Sequence, residues 1–144
     1  MYANRYLLIK FVSAAFILLW IYTAGSKLTN FETYRLEMQH QVFSLAVSNI
    51  LIYLLPVAEL FTALLLLFQK TNRTGLTLSL LLISVFTVYI ILIIAGYFPK
   101  IPCSCGGVIR AMGWMAHLVF NLVFLMLAAL SLSIKPKREV GDTE

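Results

Sequence analysis

Four apolar runs of about 22 residues each, roughly Leu7–Leu28, Val47–Phe68, Leu76–Tyr97 and Met112–Ile134, leave this chain few ways to fold. At 1.5 Å per residue each run makes a helix of ~33 Å, enough to cross a hydrocarbon core ~30 Å thick. In lipid the backbone must satisfy its own amides, which an α-helix does within one segment. With 61% hydrophobic residues, 12% charged residues and a mean hydropathy of +0.92 over 144 residues, a soluble domain of this size could not hide its apolar surface. The expected fold class is all-α: a polytopic four-transmembrane-helix bundle forming one domain over residues 1–144. The first run resembles a signal peptide, with Arg5 and Lys10 ahead of it and Ala24, Gly25 and Ser26 near its end. Its length and the poor cleavage match at Gly25-Ser26 keep it as the first span.

Basic residues give an orientation. Arg5, Lys10, Lys70, Arg73, Lys135, Lys137 and Arg138 lie on one side, against Lys27, Arg35, Lys100 and Arg110 on the other. The positive-inside rule then places both termini in the cytoplasm, and Cys103 and Cys105 outside it. In a bacterial inner membrane that outer side is the oxidising periplasm, where a disulfide persists. The net charge of +5 is accounted for by topology, with no nucleic-acid partner implied.

Between the first two runs, Thr29-Asn30-Phe31-Glu32 has the form of a capping box and predicts a helix start. Phe31, Tyr34, Met38, Val42 and Leu45 then recur at helical steps, so an amphipathic helix is expected at the outer surface, running into the second span. It reads as a connector, a lid over the cysteine loop or a docking face, with His40 solvated. Lys27, at the outer end of the first span, is expected to extend its ammonium to the interface. In the second span Pro56 should kink the helix, and Glu59 lies ~18 Å deep. A carboxylate at that depth faces the bundle interior as a proton or ligand site, or as a hydrogen-bonding cross-link between helices.

Reactive chemistry concentrates in Pro99-Lys100-Ile101-Pro102-Cys103-Ser104-Cys105-Gly106-Gly107. Two cysteines one residue apart lie up to ~7 Å apart at Cα in an extended chain, whereas a disulfide takes about 4.4–6.8 Å. A bridge would need a bent backbone, and a strained bond exchanges more readily than a structural one. Gly106 and Gly107 give bending freedom. The plain alternative is two thiols in a turn. Downstream, Arg110, Trp114, His117 and Asn121 recur every three or four residues, aligning on one face of the fourth span. Such a polar stripe belongs in the bundle interior. Asn121, ~14 Å deep, is expected to contact Glu59 directly or through water. His117 is placed to accept a proton from a departing thiol, or else only hydrogen-bonds between helices. Arg110 and the helix N-terminus both favour a thiolate.

Four spans, the Gly-Ser-Lys-Leu exit from the first, Leu55-Pro56-Val57-Ala58-Glu59-Leu60 in the second and Cys-x-Cys-Gly ahead of the fourth resemble the DoxX-like membrane proteins, and within them the MauE branch. The resemblance covers roughly Leu7 to Leu132. It implies an inner-membrane protein associated with disulfide chemistry and a periplasmic thioredoxin-fold partner, with the redox role on Cys103 and Cys105 and the second-helix motif on Pro56 and Glu59. Relatives often read Cys-Gly-Cys-Phe-Gly, where this chain has Cys-Ser-Cys-Gly-Gly.

The leading expectation is therefore a thiol–disulfide oxidoreductase subunit using Cys103 and Cys105, with His117 as proton acceptor. The chain has no second cysteine pair for an internal relay. The other half-reaction falls to a second protein, or to a membrane quinone held near Arg110, Trp114, Asn121 and Glu59. Two alternatives stay open. Soft thiolates with His40 or His117 could hold Cu(I) or another metal. A non-enzymatic anchoring subunit could use the amphipathic segment to bind a partner while the cysteines staple the loop.

Overall fold

The computed structural model describes the backbone of residues 2–98 and 113–134, and the side chains of residues 6–98 and 113–134. Among these residues the chain forms five helices and no strand: α1 Tyr2–Thr29, α2 Phe31–Gln39, α3 Leu45–Leu67, α4 Asn72–Ile94 and α5 Trp114–Ser133. All but α2 are long and apolar enough to cross a bilayer, with mean hydropathies from 2.0 to 2.7. The protein is thus a four-span membrane protein, and the span boundaries fall within a few residues of those expected. Only 17–33% of each span's most apolar stretch is buried, so most of each helix surface is left for lipid.

α3 packs along α1, α4 packs along α5, and α3 leans on α4. The half of the bundle away from α2 is filled. Val12, Phe16 and Trp20 of α1 meet Ala63 and Leu66 of α3, Leu76 and Ile83 of α4, and Ala128 of α5. Phe16 sits edge-on to Phe124 at 5.1 Å between ring centroids, and the buried Trp20 indole donates to Ser79 Oγ at 3.0 Å. The short α3–α4 turn closes this end. Thr71 Oγ1 donates to the Leu65 carbonyl at 2.8 Å, and Asn72 Nδ2 donates to the Leu66 carbonyl at 3.0 Å and Ser13 Oγ at 2.9 Å. Two carbonyls that the end of α3 leaves open are thereby satisfied. A Cβ on Gly75 would stand 2.9 Å from the Leu66 side chain and 3.0 Å from its backbone nitrogen, so glycine lets the two helices approach here.

At the opposite end α2 lies against the first turns of α3, with Tyr34 and Met38 packed on Ile52. The capping box does not form. Thr29 Oγ1 turns back to the Gly25 carbonyl at 2.9 Å, and Asn30 caps α2 without a side-chain bond. A threonine at the end of a membrane helix has a nearby unpaired carbonyl to satisfy, and that contact wins over a box with Glu32. Nor does α2 run into the second span. It stops at His40, which is exposed, and Ser44 starts α3 afresh by accepting from the Val47 amide at 3.4 Å. Leu45, expected on the buried stripe, is 66% exposed.

α3 continues through Pro56. α4 ends in a Schellman turn, ahead of Pro99. Gly96 takes φ +70°, its amide donates to the Ile93 carbonyl at 3.0 Å, and the Tyr97 amide reaches back to Leu92 at 3.1 Å.

Candidate functional site

The half of the bundle toward α2 is hollow. A cavity of about 380 Å³ opens between the spans, walled by the last turns of α1, the first half of α3, the second half of α4 and the first half of α5. Its wall is mostly aliphatic and aromatic, with polar groups at a few positions: Thr23, Lys27, Gln41, Glu59, Tyr89, Trp114, His117 and Asn121. α3 and α5 face each other across it, with no approach of their Cα atoms within 8 Å. Over it the α2–α3 connector crosses to α4. The Tyr89 hydroxyl donates to Gln41 Oε1, and the Phe43 and Tyr89 rings stack at 5.7 Å.

At one wall lies a buried ion pair. Lys27 Nζ donates to Glu59 Oε1 at 2.7 Å and Oε2 at 3.0 Å, and its third proton points to the Thr23 carbonyl at 3.4 Å. Lys27 is 5% exposed and Glu59 1%. The expectation that Lys27 reaches out to the interface is therefore corrected. Cα–Cβ bonds tilt toward a helix's N-terminus, so a lysine at the end of α1 projects back into the bundle, where the carboxylate waits. With three acceptors for three protons, the ammonium is saturated.

The direct contact expected between Glu59 and Asn121 does not form, because the carboxylate is taken by Lys27. Asn121, 2% exposed, stands on the facing wall with its Nδ2 lacking any partner. One turn nearer the α2 end, His117 Nδ1 is likewise buried and unpartnered. Thus Glu59, Trp114, His117 and Asn121 all border one cavity, as a common inward face requires, while Cys103, Cys105 and Arg110 lie outside the described residues. Among the described residues no three His, Cys, Asp or Glu side chains gather as a metal site.

The pairing of Lys27 with Glu59 was not read from the sequence, where Lys27 stood only as an interfacial lysine within the Gly-Ser-Lys-Leu exit. Its signal was the lone carboxylate in an apolar run, which demands a cation within reach.

A family model described as methylamine utilisation protein MauE matches residues 5–134, nearly the whole chain. The chain belongs to the MauE family. Comparison with curated proteins and with solved structures gave no match. For this MauE-family protein the family match spans all four spans and every residue of the cavity wall.

Proposed function

We propose that this MauE-family protein is an inner-membrane thiol–disulfide exchange component. Cys103 and Cys105 would face the extracytoplasmic side and react with a partner of thioredoxin-like fold. In the exchange, a thiolate of the pair attacks one sulfur of the partner's disulfide, and the mixed disulfide is then resolved by the second cysteine. The partner leaves as a dithiol with both electrons and both protons, and the pair is left oxidised; the reverse runs by the same steps. The wider kinship with DoxX-like proteins belongs to the same reading.

The observation that carries it is where the cavity lies. Phe98 and Trp114, which stand on either side of the cysteine segment in the sequence, both border it. The cysteines are therefore tethered within a few residues of a hollow between the spans. Topology supports the compartment. With Lys27 paired inside the bundle, three basic residues remain on the cysteine side against seven on the other.

Single variants Cys103→Ser and Cys105→Ser test the reading. One of them should accumulate a reducible, higher-mass adduct with an extracytoplasmic thiol protein, resolvable by mass spectrometry, because the resolving thiol is gone. Absence of any such adduct from both variants would contradict the exchange step.

A further inference from the structure

We infer that the cavity between the four spans is a binding site for a lipid-soluble quinone, its carbonyl oxygens taken by Asn121 Nδ2 and His117. The inference deepens the proposed function and rests on it in choosing a redox-active ligand; the binding itself is argued from the wall.

The first observation is what the wall leaves unsatisfied. A buried amide N–H without a partner costs about 1–3 kcal/mol. Asn121 Nδ2 is such a group, on a side chain 2% exposed, and it borders a hollow of about 380 Å³. His117 Nδ1 is a second. Hydrocarbon filling the cavity could satisfy neither. An acceptor brought in by a ligand satisfies Asn121 directly, and satisfies His117 in the tautomer with its proton on Nδ1.

The second observation is spacing. His117 and Asn121 are four residues apart on α5, hence on one face and about 5–6 Å apart at Cβ. That spacing is comparable to the one between the two oxygens of a para-quinone ring. The polar groups on α1, α3 and α4 and on the α2–α3 connector are already engaged. Lys27 is saturated by Glu59 and Thr23, and Tyr89 is bonded to Gln41. Among the described residues the buried unpartnered groups on this wall, Asn121 Nδ2 and His117 Nδ1, are thus both on α5, and the rest of the wall offers flat apolar contact from Trp20, Phe86 and Phe120.

The third observation is access. Val85 and Val88 of α4 border the cavity yet are 67% and 56% exposed on a membrane-spanning helix. The hollow therefore reaches the lipid-facing surface, and a ligand dissolved in the bilayer enters without crossing water. Its volume lies in the range of ~300–1,000 Å³ usual for small-molecule sites.

The chain supplies its own reporter, because its two tryptophans, Trp20 and Trp114, both border the cavity. The full-length protein in lipid nanodiscs would be titrated with menadione while tryptophan emission is followed. Saturable quenching at one quinone per chain is expected. The ring analogue 2-methylnaphthalene, which lacks the carbonyls, should displace menadione at least tenfold less well. Asn121→Leu should weaken menadione at least tenfold, while the lipid-facing Leu122→Ala binds as the parent does. Quenching that is linear and alike in every variant would overturn the inference, and so would equal displacement by 2-methylnaphthalene, which would make the cavity a place for hydrocarbon. The displacement arm uses the unaltered protein, so a folding defect in Asn121→Leu leaves the test intact. Repeating the titration on a Cys103→Ser, Cys105→Ser double variant separates the two readings. Binding retained there stands even if thiol exchange fails, and exchange without saturable binding refutes this inference alone.

Discussion

Lys27 and Glu59 show how a costly residue becomes tolerable inside a membrane. Two ions removed from water are offset only where geometry and further hydrogen bonds are good, and here both carboxylate oxygens and the Thr23 carbonyl surround one ammonium. Replacing one partner leaves the other charge buried alone. Lys27→Met is expected to destabilise the protein by about 3–5 kcal/mol, seen as a lower midpoint in thermal unfolding of the detergent-solubilised protein. The double variant Lys27→Met, Glu59→Met should recover most of that loss, because apolar side chains of similar volume can replace a buried pair. A double variant as unstable as the single one would mean that the pair acts through something other than charge compensation. Trp20→Phe removes a bond to Ser79 worth about 0.6 kcal/mol on average between membrane helices and also vacates buried indole volume, so the unfolding midpoint should fall by more than loss of that bond alone would give.

At the scale of elements, the ends of helices decide where the cavity begins. α4 stops because Gly96 adopts a left-handed conformation, so that two amides fold back on Leu92 and Ile93. Gly96→Ala should cost about 1–2 kcal/mol by forcing a side chain into that conformation, measurable as a lowered unfolding midpoint. The four spans were legible from length and hydropathy, with Pro99 and Pro102 announcing the end of the third, but the run expected to reach Tyr97 stops at Ile94, ahead of the turn at Gly96. The Thr29–Glu32 capping box was not legible, because whether Thr29 bonds forward to α2 or back to α1 depends on which amide or carbonyl lacks a partner. The break at residues 40–44 escaped periodicity for a related reason. Val42 and Leu45 kept the helical spacing, while the Ser44 cap and the Gln41–Tyr89 bond set the chain's direction.

Across the whole molecule, one half of the bundle is filled by aromatic packing and the other is hollow, with the α2–α3 connector drawn across it. The inward face of α5 was readable from the three- and four-residue recurrence of Trp114, His117 and Asn121. The pairing of helices was not, since periodicity assigns a face and not the neighbour it meets. Glu59 therefore found Lys27 on α1 and left Asn121 facing the cavity. That arrangement gives the cavity an ion-paired wall and a facing donor-bearing wall, next in sequence to the cysteine segment on which the proposed exchange chemistry rests. The most direct test is the redox state of Cys103 and Cys105 in intact membranes, by acid quench and alkylation with a mass-adding maleimide before and after reduction. A disulfide population that shifts reversibly with added oxidant and reductant is the predicted result. Two thiols that stay reduced after a mild oxidant would contradict it.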